Sequence, residues 1–507
     1  MKINTQTSPV VNFKGITLAP LSQALYTLGN NDMLNASFID VFAMDTPRTI
    51  VEFEHRGKQA GIEMGFREYT GTFIAEFSAI VFALAASKLF SKKYKPDVKI
   101  NGNSWLTNNA IDAFSEIYNK SDKTLDGFLE NTLKSMSGIS GKKVTTLSDS
   151  GSENIKSIKE GFIDIINNTK LDKKAKTQAL KNLEDNIIQT LKADNNITLQ
   201  QGVKGYSDNL SHIVRDIIDV SQNVFFKEGA NSKSIIEKLK TLNKSRIAIA
   251  IPLSMLLAIT NQYINRYLTK KRTGIDNFVG ENDYEKNVQG KNETKKEKGL
   301  LVKKALSACI FLLMLSSVMG LKKPKDIINK LEFNGAATGG NAIKTIYGTL
   351  ILGRIFASKD STELRETNVR DYLGFLSWLV LGGFVAKGVG QILDPKQAIL
   401  FNVTKQGNGI KHWLKDISLK SQKEIIAQGG NVKQNLRKLN IAQLSGIAYS
   451  AIMLGVLLPK LNIWMTKHKK NTNEIIAKSV NIHNLSNPFL GKNTPDIFKE
   501  FSLKQAQ

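Results

Sequence analysis

The sequence predicts an all-α, multi-pass helical membrane protein with an internal duplication and a soluble helical insertion. Three observations carry that expectation. Several long runs lack charge, lysine and arginine crowd their edges, and two landmarks recur in the same order in both halves of the chain.

Ile247 to Asn265, Ala305 to Leu321 and Leu439 to Pro459 contain no charged residue. Each approaches or meets the roughly 20 residues needed to cross about 30 Å of hydrocarbon. Tyr372 to Ala386 is also free of charge and extends past Lys387 to Leu393. Gly71 to Phe90 is apolar except for Glu76 and Lys88, and Ile343 to Ala357 is shortened by Lys344 and Arg354. Five or six spans are expected. A buried helix of a water-soluble protein can be apolar all round as well, so the flanks decide. Ser91-Lys92-Lys93-Tyr94-Lys95, Lys303-Lys304, Lys322-Lys323 and Lys467 to Lys470 stand at run ends, where cations meet headgroups. Tyr263, Tyr267, Tyr372 and Trp464 stand there too, and amphipathic rings favour that boundary.

A formal charge of +25 implies an anionic partner. Its placement at the run edges points to a lipid bilayer with anionic headgroups. No aromatic-interleaved basic groove or finger motif accompanies it, so no nucleic acid is expected. The single cysteine, Cys309, excludes a disulfide within the chain. The five histidines show no ligand spacing, and no nucleophile–base pair is evident; no metal, cofactor or catalysis is expected. The stretch GAATGGNA (Gly335 to Ala342) lacks the Lys-Ser/Thr of a phosphate cradle and reads as a flexible connection. The N-terminus lacks the apolar core of a cleavable signal, so insertion is expected to begin internally.

The chain divides into an N-terminal segment with an inbound helix (1–70), a membrane helix (71–90) and a soluble helical insertion (91–245). Membrane helices with a charged loop from Thr273 to Lys298 follow (246–357), then a second membrane repeat (358–467) and a polar tail (468–507). Within the insertion, Ile155, Ile158, Phe162 and Ile165 recur at helical spacing, as do Leu180, Leu183, Ile187 and Leu191. Gly138-Ile139-Ser140-Gly141 and Ser148 to Ser152 read as breaks between helices. A protein partner is expected to dock on this insertion. Asp394 to Lys438 is a second polar segment.

The duplication rests on register. LKTLN (Leu239 to Asn243) falls on LRKLN (Leu436 to Asn440). Without a gap, Ile264-Asn265, Tyr267-Leu268 and Thr269-Lys270 then fall on Leu461-Asn462, Trp464-Met465 and Thr466-Lys467. Earlier in each half, EMGFREYTG (Glu63 to Gly71) matches ETNVRDYLG (Glu366 to Gly374), both of the form E-x-x-x-R-[ED]-Y-x-G. Continuing, Ala79, Ala83 and Ser87 match Gly382, Ala386 and Gly390. Small residues at every fourth position let a second helix approach closely. If the runs beginning at Ala305 and Ile343 both cross, four spans separate equivalent positions and the repeats are parallel, about an axis along the membrane normal; if the weaker run does not cross, the number is odd and the repeats are inverted. A cytoplasmic N-terminus places both R-[ED]-Y-x-G motifs and both x-T-K exits inside.

Glu76 is the most suggestive single residue, because a carboxylate within a span is expensive and often paired or functional. The plainer reading puts it near the interface, reaching water. Its counterpart is Leu379, and Lys387 and Arg354 are candidate partners. The clusters Glu63–Arg67–Glu68 and Glu366–Arg370–Asp371 place Glu and Arg four apart on one helix face; they tie elements together at the boundary or bind a headgroup. Asn265 and Asn462 cap or fix the departing backbone.

NFKG (Asn12 to Gly15), PRT (Pro47 to Thr49) and the RE pair Arg67-Glu68 resemble a group of uncharacterised bacterial multi-pass membrane proteins. The resemblance implies a bacterial cytoplasmic membrane and no activity. Three functions compete: a non-enzymatic scaffold or interaction protein, a transporter or channel built from a duplicated unit, and a soluble basic helical protein binding acidic partners.

Overall fold

A computed structural model describes residues 19–93 apart from Asn30, 106–274 apart from 141–142, 169–171, 192–195, 201–204 and 228–230, then 298–321, 331–403 apart from 332 and 335–336, and 407–468 apart from 408. The NFKG stretch, residues 94–105, the charged loop across 275–297, Lys322-Lys323 and the tail beyond His468 lie outside the described residues.

Helices dominate the described chain. Four are long and apolar enough to cross a membrane: Lys58–Phe90, Ser232–Thr273, Leu300–Val318 and Val432–His468. Between 22% and 39% of each apolar stretch is buried inside the protein, so most of each faces outward. Val81, Leu84 and Leu89 are exposed on the first, Leu256 and Tyr267 on the second, Leu301 and Leu313 on the third, and Ile452 and Trp464 on the fourth. Apolar surface on that scale is costly in water and native to acyl chains. The architecture is that of an all-α, membrane-type protein.

Against five or six expected spans, four helices among the described residues have that length and apolarity. Gly340–Ala357, which contains the run from Ile343, is only 18 residues long and buried on nearly every side through Ile343, Ile346, Leu350, Ile351 and Ile355. Its apolarity serves the protein core. Tyr372 to Leu393 belongs to a continuous helical rod of Ser361–Leu376, a wide turn Ser377–Leu381 and Gly382–Leu393, whose glycines and Lys387 dilute the run.

That rod has a counterpart in Lys58–Phe73, the wide turn Ile74–Ser78 and Ala79–Lys93. Lys58, Ile74 and Ala79 begin its three parts; Ser361, Ser377 and Gly382 begin the other three, at one constant offset. Each rod packs its small residues on the long helix that follows it. Ala79 and Ala83 are fully buried in one cluster with Ala250, and Ser87 Oγ accepts a hydrogen bond from Arg246 Nε at 2.7 Å. Gly382, Ala386 and Gly390 meet Ala442, Gly446 and Ser450. A Cβ at Gly446 would lie 2.6 Å from the Gly382 carbonyl oxygen, and one at Gly382 would lie 2.9 Å from Ser450 Oγ. The side-chain-free seam is what allows the two backbones to touch.

Burial refines the ungapped register. It pairs Ala250 with Ile447, but the buried small residues correspond one position earlier, Ala250 with Gly446 and Ser254 with Ser450. A wide turn at Ala451–Leu457 takes up the extra residue, as an i→i+5 turn does. Beyond it, Asn265 and Asn462 match again. The halves also exchange contacts. A Cβ at Gly455, in the second repeat, would lie 2.7 Å from the Ala43 carbonyl oxygen.

The insertion is not helical throughout. Asn108–Lys120, Leu125–Ser135, Ser152–Asn167, Lys173–Leu191 and Leu210–Val220 surround a core that includes Phe114, Phe128, Phe162 and Ile187. Beside them lies an antiparallel sheet ordered Lys143–Thr146, Met136–Ser140, Asn196–Leu199 and Tyr206–Asn209. The stretch that reads as a helix break is thus partly a strand. Ile197 and Leu199 alternate inward, but four residues are too few to announce a two-residue period.

The insertion is fastened at two places. Asn243 Nδ2 donates to the Leu106 carbonyl oxygen at 2.6 Å, and Lys240 pairs with Asp112. Lys423, from the polar segment of the later half, lies 2.8 Å from Asp185 Oδ1 and 3.5 Å from Glu184 Oε2. Burial pulls the Lys423 ammonium down, but Tyr26, Asp185 and Glu184 outweigh it and push the group up to about 12. Insertion and polar segment therefore occupy the same end of the bundle.

Candidate functional site

Both E-x-x-x-R-[ED]-Y-x-G motifs lie on helices whose motif faces are buried, so their charges have little water to face. Glu63, Arg67, Glu68, Glu366, Arg370 and Asp371 are all at most 6% exposed. Glu68 and Asp371 occupy equivalent positions in the two rods, and one arginine joins them. Arg354 Nη2 lies 3.1 Å from Glu68 Oε2, and Arg354 Nη1 lies 3.0 Å from Asp371 Oδ1.

Further cations complete the cluster. Arg67 Nε lies 3.5 Å from Glu68 Oε1, and Arg370 Nε lies 2.8 Å from Asp371 Oδ1. Arg48, from the PRT stretch, lies 3.6 Å from Glu68 and donates through Nε to the Leu454 carbonyl oxygen at 2.9 Å. One turn further, Arg56 Nη2 lies 2.8 Å from Glu366 Oε1 and Nη1 lies 3.4 Å from Glu52. Asn462 Nδ2 donates to the Glu366 carbonyl oxygen at 3.0 Å, and Thr466 Oγ1 donates to the Glu366 carboxylate. Asn462 thus fixes a neighbouring helix rather than its own departing backbone. Asn265 is buried at the matching position.

A cluster of this kind is cohesive. In a low-dielectric interior each ion stands to lose several kcal/mol without its partners, and matched, hydrogen-bonded pairs recover most of it. The partners seen for Glu68, Asp371 and Glu366 are protein groups on other helices, so the clusters tie elements together. Among the described residues no three histidine, cysteine, aspartate or glutamate side chains gather where a metal ion could sit.

Glu76 lies elsewhere. It is fully buried in the wide turn Ile74–Ser78, where it accepts a hydrogen bond from Ser37 Oγ. The interface position reaching water is ruled out by this burial. Both expected cations are engaged elsewhere. Arg354 is committed to Glu68 and Asp371, while Lys387 donates to the Trp413 carbonyl oxygen and lies 4.5 Å from that ring's centroid.

Asp40 and Asp45 escaped the sequence reading. Both are fully buried, in the wide turn Ile39–Asp45, and Asp45 Oδ2 accepts from Thr72 Oγ1 at 2.8 Å. Their signal was two acids set among Ile39, Val41, Phe42, Ala43 and Met44, a stretch too short to read as a span. Of the aromatic anchors, Tyr263, Tyr267 and Trp464 are exposed, whereas Tyr372 turns inward, donating to the Ser307 carbonyl oxygen and stacking on Phe311.

No protein-family model matches this chain, and no curated protein and no solved structure matches it either.

Proposed function

We propose that the chain is a multi-pass integral protein of a bacterial cytoplasmic membrane, a non-enzymatic scaffold built from two copies of one helical unit. The constant offset between the two rods, their matched wide turns and the meeting of Glu68 with Asp371 at Arg354 support the duplication. The observation that carries the scaffold reading is the double fastening of the insertion, through Lys240 and Asn243 on one side and Lys423 on the other. A platform held to both halves presents a fixed surface to a protein partner. Lysines border both ends of most runs, and the orientation taken is the one that places both R-[ED]-Y-x-G motifs and both x-T-K exits inside. The insertion then lies outside.

Two measurements test this. Carbonate extraction of membranes should leave the full-length chain in the pellet; its release into the supernatant, monodisperse without detergent, would overturn the membrane assignment. Cross-linking from the insertion surface in intact cells should then capture a defined protein, with capture lost when residues 106–227 are deleted and the bundle stays in the membrane. A bundle that captures nothing, yet carries solute flux lost on Glu76→Gln, supports the transporter reading instead. The buried acids at Asp40 and Glu76 are the observation that favours that alternative.

A further inference from the structure

Asp32–Phe38, the wide turn Ile39–Asp45 and Thr46–Arg56 follow one another without a break, as one helical rod. At 1.5 Å per residue, Asp32 to Arg56 extends roughly 37 Å, enough to cross about 30 Å of hydrocarbon. Asp40, Asp45, Arg48 and Glu52 keep the rod from reading as a span, yet each is at most 4% exposed. Between Met33 and Phe53 the exposed side chains are Leu34, Phe38, Phe42, Ile50 and Phe53, all apolar. A helix on a water-soluble protein turns its charges outward. This one is built the other way round, with charge facing the bundle interior, where intramembrane ionisable groups are found.

The rod keeps pace with Val432–His468, one of the four long apolar helices, and runs in the same direction. Just before it, Ser22 Oγ accepts a hydrogen bond from Asn440 Nδ2 at 2.7 Å. Midway, Arg48 reaches the Leu454 carbonyl oxygen. At the far end Arg56 pairs with Glu366, whose carboxylate also takes the Thr466 hydroxyl. The neighbours advance from Asn440 to Thr466, past the charge-free run that ends at Pro459, so the rod crosses whatever that helix crosses. Gly57, at φ 88°, then turns the chain back into Lys58–Phe90.

The exposed apolar face does not stop at the rod. It continues onto Lys58–Phe90 through Phe66, Tyr69 and Phe73, with the Tyr69 hydroxyl 2.6 Å from Thr46 Oγ1. It ends at Glu54 and His55, both exposed, beside the turn at Gly57. The later half holds a matching element. A Cβ at Gly374 would lie 3.2 Å from Arg48 Nη2, and one at Gly71 would lie 3.6 Å from Arg354 Nη2. Gly71 and Gly374 close the two motifs, so Asp32–Arg56 takes the place in one half that Gly340–Ala357 takes in the other.

Resting on the membrane reading, we propose that Asp32–Arg56 is a further membrane-crossing helix whose apolar face lies against the acyl chains. The N-terminal residues then share a side with the insertion: the Tyr26 ring lies 5.3 Å from Lys423 Nζ, and Lys423 pairs with Asp185. The motifs lie on the opposite side. The cytoplasmic N-terminus expected from the sequence is therefore incompatible with cytoplasmic motifs.

The test uses full-length protein carrying Cys309→Ser and one new cysteine, spin-labelled in phosphatidylcholine–phosphatidylglycerol vesicles. Labels at Phe42→Cys and Ile452→Cys should collide more with oxygen than with a water-soluble nickel chelate, and a label at Glu153→Cys in the insertion should do the reverse. Nickel access at Phe42 with shielding at Ile452 would overturn the proposal and leave the membrane reading standing. Nickel access at both would overturn the membrane reading itself. Shielding of Phe42 from both reagents would mean that protein covers the face, and would also overturn the proposal. Ile50→Cys repeats the experiment should Phe42→Cys fail to fold. In intact cells an impermeant maleimide should treat Gln23→Cys like Glu153→Cys and unlike His55→Cys; equal reaction at Gln23 and His55 would contradict the crossing.

Discussion

The bundle buries charge in two ways. Around Arg354, carboxylates and guanidiniums are matched, and the equivalent acids Glu68 and Asp371 share one cation. At Asp40 and Glu76, two acids are buried in wide turns, and Ser37 donates to Glu76. The first arrangement is stable as ions, since each charge recovers much of its lost hydration from its partners. The second sets burial, which disfavours an ionised carboxylate, against a hydroxyl donor. Burial alone therefore does not reveal what an acid does; the partners decide.

Breaking the first arrangement should cost most. Arg354→Met strands Glu68 and Asp371, and should lower stability by about 3–5 kcal/mol in detergent unfolding. Adding Glu68→Gln and Asp371→Asn to that variant should recover a large part of the loss. The apolar seam is a control without charge. Gly446→Ala forces a methyl group onto the Gly382 carbonyl and should cost about 1–3 kcal/mol, read in the same experiment. Glu366→Gln leaves Arg56 with Glu52 and removes one charge-assisted bond, so a loss of about 1.5–3 kcal/mol is expected.

The insertion supplies an acid of the second kind outside the bundle. Burial first, then the Asp208 and Asp219 carboxylates, hold the Asp216 carboxyl well above the usual range. A carboxyl raised on folding binds its proton more tightly in the folded state. Stability should therefore rise as pH falls from neutral towards about 4, the unfolded value. Asp208 opposes this only at lower pH, because His212 holds it low despite its burial. Thermal melts should show that slope, and Asp216→Asn should flatten it. At the small end, Lys134→Ala breaks an exposed pair with Glu130 and should change stability by no more than about 0.5 kcal/mol.

The sequence revealed the rods well, for a physical reason. Lipid-facing and small-residue stripes repeat along many turns, so Gly382, Ala386 and Gly390 were visible as a packing face before any partner was known. Both charged motifs were visible as well. What joins them was not. Arg354 is remote in the chain from Glu68, and its own run, Ile343 to Ala357, resembles a weak span because it is core. Asp40 lies in a stretch with no long period, and its burial depends on how its wide turn packs. The sheet of the insertion was missed because its strands are only four or five residues long.

The meeting of the two halves at one arginine is tested most directly by a double-mutant cycle on Glu68→Gln and Asp371→Asn, measured by unfolding in detergent. Two acids sharing Arg354 should couple by about 0.5–3 kcal/mol. Losses that simply add would mean that Glu68 and Asp371 do not share it, and the equivalence of the two motifs would lose its physical basis.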